Sequence, residues 1–399
     1  MTVGRRSLLE RDERWARVAW ASLVEPRSGP VTRLIAEHGA VEALARLREG
    51  RCEAAPEASV RLHRLDLDDL AHAARSRGAH VVVPGDEHWP DVLDRHELPP
   101  HCLFVRGDPD LSSLTRRAVA VVGSRAATEY GVRVAAELGE GLGGRGWTVV
   151  SGAAYGIDAA AHRGALAAGG PTVAVLACGV DVAYPRAHRS LLEEIARTGS
   201  LVSEVPVGSS PYRSRFLARN RLIAMLGRAT VVVEAGLRSG ALSTAREAAR
   251  HHLPVAAVPG PVTSATSAGC HLLIRDAGAV LVTDGAEVAE LAAPIGEELL
   301  GAAHGSAPRA PEDHLGEAAY AVWSAAPVRR AVTREALAAA SGVDPARLVV
   351  ALAELESRGL VVRDGSGWRK PPRRRERTDV GGGGAAGRGA PPLVRERTS

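Results

Sequence analysis

The turn Gly123-Ser124-Arg125 joins an apolar, β-prone run (Val119, Val121, Val122) to an Ala-rich helical pattern from about Thr128 to Leu142. Glycine permits close backbone approach, N–H groups at a helix start attract anions, and arginine adds a planar fork of permanent charge. Strand, tight turn and helix together predict a phosphate cradle. An ordinary βα turn with a solvated arginine fits the same three residues equally well, because motifs this short recur by chance.

Four further segments share this chemical character. Ser151-Gly152-Ala153-Ala154-Tyr155-Gly156-Ile157-Asp158 leads small residues and backbone donors into a helix, a second candidate anion cradle. Asp158 is expected to cap that helix or orient a neighbouring donor. Neither a paired carboxylate nor a metal-ligand set accompanies it, so no catalytic residue, metal site or cofactor is assigned, and His162 is expected to be structural. Pro211 to Arg221 is the densest basic segment, with Arg213, Arg215, Arg219 and Arg221 around Asn220 and with Tyr212 and Phe216 interleaved. In a chain with two phenylalanines, this fits single-stranded nucleic acid. Guanidinium groups would track phosphates, and an aromatic face stacks a base for about 1–3 kcal/mol. Phe216 in the core, with the arginines in surface ion pairs, is the alternative that the segment leaves open.

The third of these segments runs from Glu234-Ala235-Gly236 to Arg238-Ser239-Gly240 and a helix through Arg250. There Ser239, Gly240, Ser243 and Thr244 sit where a helix N-terminus presents hydroxyls and amides. Pro259-Gly260-Pro261 then opens a Ser/Thr-rich loop to Gly269-Cys270-His271. Routine turn chemistry explains any one of these segments. Four phosphate-suited segments, each following a strand of one sheet, make a stronger case.

The elements that must position these residues follow from periodicity. Between His80 and about Val288, short Val-rich runs alternate with Ala-rich helical segments. The expected strands are Val81–Val83, Leu103–Val105, Val119–Val122, Thr148–Val150, Val173–Leu176, Leu201–Val205, Thr230–Val233, Val255–Val258 and Val280–Val282. Several are apolar throughout, as strands covered on both faces must be. The fold class is therefore α/β, a Rossmann-like, doubly wound, mostly parallel sheet over 79–293, whose ligands gather beyond the carboxyl ends of the strands.

Residues 1–78 show helical stripes such as Leu44/Leu47 and predict a small helical, SAM-like domain. A Pro- and Gly-rich linker is expected over 294–314. Three helices (Leu315–Ala325, Thr333–Ala340, Pro345–Arg358) and a hairpin around Asp364-Gly365-Ser366 then predict a winged helix over 315–370. Its third helix carries Arg347 and Arg358 against Glu354 and Glu356. That near-neutral face favours a protein contact or domain packing over a DNA groove. The stretch 371–399, with Gly381 to Gly384 and Pro391-Pro392, is expected to be a disordered basic tail.

Composition narrows the partners. The formal charge of +4 misleads, because the segment from Arg369 onward carries +6 and the remainder −2. A polyanion partner must be argued from local clustering. Lys370 is the one lysine among 50 basic residues, and the four cysteines are widely spaced, so neither a zinc site nor a disulfide framework is indicated. The N-terminal residues lack an apolar signal region and no apolar run approaches membrane-spanning length, so a cytoplasmic location without a membrane partner is expected.

The segments G-S-R-A-A-T, S-G-A-A-Y-G-I-D, Tyr184-Pro185, S-E-V-P at Ser203 to Pro206, F-L-A-R-N-R, S-G-A-L-S-T-A and V-P-G occur in order and at suitable spacing over residues 80 to 290. In this the chain resembles the DNA-processing protein A (DprA/Smf) family. The resemblance implies a non-enzymatic, sequence-independent binder of single-stranded DNA. It would dimerise through the Rossmann-like domain, protect incoming DNA, and load the RecA recombinase in natural transformation and homologous recombination. Carried over by position, Gly123, Ser124 and Arg125 would grip a phosphate, with Ser151, Gly152, Ser239 and Gly240 in the neighbouring loops. Arg213, Arg219, Asn220 and Arg221 would line the pocket, and Phe216 would stack a base. Arg213 stands where the family often has lysine and keeps the charge, Tyr155 replaces a common lysine and removes one, and Leu217 replaces a usual proline. Two other readings remain open. A nucleotide-processing enzyme related to phosphoribohydrolases would need a P-G-G-x-G-T loop that the chain lacks, and a winged-helix transcription factor is weakened by the near-neutral third helix.

Overall fold

The computed structural model describes residues 12–294, 315–328 and 330–371, which fall into two compact units, Met1–Ala302 and Ala303–Ser399. The expected linker beyond residue 294 and the basic tail beyond residue 371 lie outside the described residues.

Five helices open the first unit: α1 (Glu13–Leu23), α2 (Gly29–His38), α3 (Ala40–Arg48), α4 (Pro56–Leu62) and α5 (Leu67–Ser76). Aspartates start two of them, Asp12 accepting the Trp15 amide and Asp66 those of Asp68 and Asp69. Their apolar stripes close on Trp20, Leu23, Leu44 and Leu47, all nearly or fully buried. The opposite side of α1 continues into the sheet. Val18 and Ala21 join a cluster with Phe104 and Leu176, and Arg14 pairs with Asp86 at 2.7 Å. The segment 12–78 therefore belongs to the same compact unit as the sheet.

The sheet has nine strands: β1 (Ala79–Val82), β2 (Leu103–Gly107), β3 (Ala118–Val122), β4 (Thr148–Ser151), β5 (Thr172–Leu176), β6 (Ser200–Ser203), β7 (Ala229–Val232), β8 (Val255–Ala257) and β9 (Val280–Leu281). Each overlaps one of the nine expected runs. Their order is β1-β2-β6-β5-β4-β3-β7-β8-β9, parallel from β6 to β9, with β1 and β2 antiparallel at one edge. Helices α6 (Leu111–Arg116), α7 (Glu129–Gly143), α8 (Ile157–Ala167), α9 (Arg189–Thr198), α10 (Arg213–Leu226), α11 (Ala241–Arg250), α12 (Ala268–Asp276) and α13 (Gly285–Ala292) connect or follow the strands.

The two-residue period of β3 divides the core. Val119 and Val121 meet Val134 and Leu138 of α7, while Ala118, Ala120 and Val122 meet Leu222 of α10, Leu242 of α11 and Leu273 of α12. Every residue of β3 is buried, which accounts for its uniformly apolar run. Chain order reverses between β3 and β7, so the loops after these neighbours diverge at the carboxyl edge and leave a crevice there.

One expectation changes character. Pro211 to Arg221 is no loop beyond a strand, because from Arg213 onward it is the first half of α10. The mixture of arginine, alanine and leucine has good helix propensity, and nothing in it stops a helix.

The second unit contains α14 (Glu317–Ala325), α15 (Arg334–Ser341), α16 (Pro345–Ser357) and a hairpin of β10 (Val362–Asp364) and β11 (Gly367–Arg369). Asp344 caps α16 and Pro345 occupies its first turn, as the sequence implies. Val322, Leu337, Leu348 and Leu355 form its core. Among the described residues, no single helix is long and apolar enough to cross a membrane.

Burial leaves three histidines poorly protonatable. It pulls His96 and His101 down to about 4 and His162 down to about 3, from an ordinary 6.5. Between those values and 6.5 the unfolded chain binds more protons than the folded one, so the fold loses stability as pH falls through that window. Urea unfolding at about pH 7 and about pH 5 should show the midpoint dropping on acidification. The loss is up to about 1.4 kcal/mol per pH unit for each such histidine. His162→Gln should flatten that dependence by one histidine's share.

Candidate nucleic-acid interface

The turn after β3 is held from within. The Ser124 amide donates to the Glu234 carbonyl at 2.7 Å. Thr128 caps α7, its amide donating to Glu234 Oε2 at 2.9 Å and its hydroxyl to Oε1 at 2.6 Å. Thr266 adds a hydroxyl to Oε1 at 3.1 Å, and Glu234 itself is 2% exposed. The positive end of α7 therefore already holds a carboxylate, and neither of these two amides is free for a ligand. Gly123 has an internal reason too, since a Cβ there would lie 2.5 Å from Ile157 Cγ1 and 2.9 Å from the Glu234 carbonyl. Of the expected grip, the exposed Arg125 side chain is the charged part left to meet an anion.

The β4–α8 segment divides similarly. Ser151 is fully buried and donates its hydroxyl to the Val121 carbonyl at 2.6 Å, so its expected role as a nucleic-acid contact is corrected to a tie between β3 and β4. Gly152 lies against the Arg219 guanidinium, which occupies the space a Cβ would need. Asp158 is the second residue of α8 and not its cap, which is Gly156; it accepts the Ala154 amide at 3.3 Å, with burial raising its carboxyl above the usual range against the pull of Arg219. His162 Nδ1 bonds Thr172 Oγ1 at 2.6 Å deep in the core, as a structural residue does.

Helical phase sorts the basic segment. Arg213, Phe216, Leu217 and Asn220 share one stripe of α10, spaced three and four apart. Arg219 lies beneath them, 6% exposed, and bonds the Val175 carbonyl at the end of β5. Burial lowers its pKa to about 10, which leaves it charged at neutral pH. Arg221 points elsewhere. It is fully buried, donates Nη2 to Glu204 Oε1 at 2.7 Å and is absent from the cleft lining, so its expected place in the pocket is corrected to a core ion pair. Arg215 is also engaged, forming a two-pronged pair with Glu25 at 2.7 and 2.8 Å. That pair holds the Glu25 carboxyl below its ordinary value. Two arginines in the first turn of α10 oppose its dipole, a local cost that an anion at that end would remove.

These pieces surround a cleft of ≈960 Å³ at the switch point. Gly123, Ser124, Arg125, Arg213, Phe216, Arg219, Asn220, Ser239 and Gly240 all line it. Gly152 lines a smaller recess that shares Arg125, Ala154, Tyr184 and Phe216 with the cleft. Asn220 Nδ2 reaches the Gly240 carbonyl at 3.4 Å, bridging α10 to the start of α11. The guanidinium of Arg125 sits 5.0 Å over the Phe216 ring, with Tyr184 5.5 Å away from that ring. Arg238, exposed after β7, completes a lining of four arginines against the single carboxylate of Asp158. It was missing from the expected site, although its position after the strand beside β3 marks it.

Among the described residues, one cluster outside the cleft has metal-ligand types. His96, Glu247 and His251 bring ligand atoms within 4.8 Å of one another. Glu247 already pairs with Arg27 and Arg250 at 3.2 Å each. The Leu98 amide donates to His96 Nδ1 at 2.8 Å, which puts the neutral ring's proton on the inward-facing Nε2. An ion-pair network describes the cluster better than a cation site.

A doubly wound sheet with an arginine-lined, aromatic-flanked cleft at its switch point defines a Rossmann-like protein with a cationic ligand site. Comparison places it more narrowly. The family model for DNA recombination-mediator protein A matches residues 80–293. A putative DNA processing protein DprA of Mycobacterium tuberculosis is 46% identical over 370 residues, covering 88% of this chain and 93% of that protein. Protein Smf of Escherichia coli is 42% identical over 213 residues, 53% of this chain and 56% of that protein. The X-ray structure of DNA processing protein A from Streptococcus pneumoniae matches with a TM-score of 0.61 at 32% identity, covering 71% of this chain and 98% of that one. The chain belongs to the DNA recombination-mediator protein A family.

Arg221 and Arg125 should separate cleanly. Arg221→Ala leaves Glu204 buried and unpaired and should destabilise the fold by about 3–5 kcal/mol in urea unfolding, whereas Arg125→Ala should shift it by less than about 0.5 kcal/mol. Replacing Arg221 and Glu204 together with leucine should recover most of the loss.

Proposed function

We propose that the chain binds single-stranded DNA without sequence preference and acts as a recombination mediator, protecting the strand and delivering it to the RecA recombinase during transformation and homologous recombination. One observation carries this reading. The switch-point cleft combines Arg125, Arg213, Arg219 and Arg238 with the ring of Phe216, a pairing of phosphate partners and a stacking platform. The names of the relatives, DNA processing proteins and a recombination mediator, support it.

Arg125 and Phe216 act as a unit. In the free protein the cation covers one face of the ring, so a base stacking there would release the guanidinium toward the phosphates. Dimerisation is part of the proposal, supported by β9, the last strand of the sheet, whose Val280 and Leu281 are half exposed. The three helices and hairpin of the second unit would act as a winged helix for protein contact. Val349 and Val350 stand exposed on α16, which suits an apolar partner better than phosphates.

The competing reading, a nucleotide-processing enzyme, rests on Asp158, the single carboxylate among the residues that line the cleft. Its bond to the Ala154 amide and its proximity to Arg219 favour a positioning role. Release of free base from nucleoside monophosphates would support the enzyme instead.

The test is an anisotropy titration with oligothymidylate across salt concentrations. Arg125→Ala and Phe216→Ala should each weaken binding about tenfold or more, and Arg125→Ala should reduce the salt slope by about 0.7. The double variant should lose less than the sum of the two, because each removes part of the same interaction. RecA filament assembly on the strand should be accelerated by the parent protein and not by Arg125→Ala. Tight binding untouched by both single changes would overturn the site.

A further inference from the structure

Beside the cleft lies a recess of ≈40 Å³, bounded by Gly152 and Tyr155 after β4, Leu176 and Cys178 at the end of β5, and Tyr184. It opens next to Phe216 and Arg125, so anything stacked on the ring or paired with the guanidinium sits at its mouth. Three of the chain's seven Tyr and Phe residues, Tyr155, Tyr184 and Phe216, meet there. The one thiol in the wall, Cys178, is turned to the Val182 carbonyl at 3.4 Å. The recess therefore offers carbon surface at the end of a cationic groove.

Its size is decisive. An apolar cavity of about 150 Å³ takes a benzene-sized ring, so a space of ≈40 Å³ suits one small group in place of a whole base. Tyr155 is held at the rim. Its ring stands edge-on to His188 at 4.8 Å, and the His188 Nδ1 bonds the Ala153 carbonyl at 3.0 Å. The backbone at Ala153 has φ 53, a left-handed turn that precedes the half-exposed Tyr155. An apolar notch the size of a methyl group, at the edge of a stacking platform, fits one feature of the nucleobases, the C5-methyl of thymine.

We infer that this recess is a thymine-methyl subsite and that Tyr155 is its specificity-determining wall. The inference rests on the reading of the cleft as a single-strand site and adds to it a mild base preference. The strand backbone runs along Arg125 and Arg213, a pyrimidine ring lies against Phe216, and its methyl enters the notch under Tyr155. Burying one methyl group corresponds to about a three- to fivefold gain in affinity.

Oligothymidylate and oligodeoxyuridylate of equal length differ by that methyl alone, and competition anisotropy measures their affinity ratio directly. The parent protein should favour the thymidine strand about three- to fivefold. Tyr155→Ala should bring the ratio to about one while both strands still bind, and Tyr155→Phe should keep it. Arg213→Ala should weaken both strands together and leave the ratio intact. Thermal melting of Tyr155→Ala should match the parent, since the side chain is half exposed. A parent ratio of one, or a ratio that survives Tyr155→Ala, overturns the subsite while leaving the single-strand reading standing. Failure of the parent to bind either strand overturns that reading and the subsite with it.

Discussion

The buried carboxylate of Glu234 ties together the loops on which the cleft depends. It stands just past β7, yet its oxygens serve Thr128 before α7 and Thr266 before α12, and its carbonyl takes the Ser124 amide. Three loops that leave the sheet in different directions thus converge on one side chain. A buried charge is costly unless its hydrogen bonds are met, and here the amide of the α7 cap and two hydroxyls meet them. The consequence reaches the ligand site. A helix N-terminus after a strand is the usual anion site of such sheets, but here the protein supplies the anion itself. What the cleft turns toward an anion is therefore arginine side chains in place of these two amides.

Helix α10 divides its labour by phase. Within a single turn, Arg213 and Phe216 face the cleft while Arg215 is held by Glu25 from the N-terminal helices. Farther along, Arg219 forms the cleft floor, and Arg221 crosses the core to Glu204. Four arginines within nine residues thus have different electrostatic fates. Charge density along the sequence overstates the charge offered to a ligand, and only the helical phase and the position of each acceptor decide which guanidinium remains available.

Much of this was legible beforehand. The strands were readable because both faces of the sheet are covered, which forces apolar runs such as Val119 to Val122. Ligands were expected beyond the carboxyl ends of the strands, but the reversal of order that opens the crevice between β3 and β7 is visible only in the sheet topology. Ser151 was misassigned because a small polar residue in a Gly-rich loop looks alike whether it faces a ligand or, as here, a neighbouring strand's carbonyl. Arg221 was misassigned because the R-N-R run was read without a helical phase, and Glu204, which fixes its role, lies in a separate segment. Gly123 has a reason in the packing that the sequence did not suggest, since Ile157 approaches it closely. Arg238 was named in its turn but left out of the expected site, because a single arginine in a turn carries no pattern of its own. Proximity across the sheet gives it meaning.

Arg219 shows how such a site remains both charged and stable. Burial pulls its pKa down to about 10, so the fold bears a desolvation cost for keeping the cation at the cleft floor. Asp158 offsets part of that cost, and the raised carboxyl of Asp158 shows that this pair is itself imperfectly solvated. An anion arriving above Arg219 would supply the missing counter-charge, so ligand binding and local stability are linked. Gly152 makes the arrangement possible by leaving room for the guanidinium beside the β4 turn. A side chain there would have to displace Arg219, and the cleft would lose its floor charge with every arginine still in the chain. The cleft's charge is therefore set as much by packing behind it as by the arginines exposed in it.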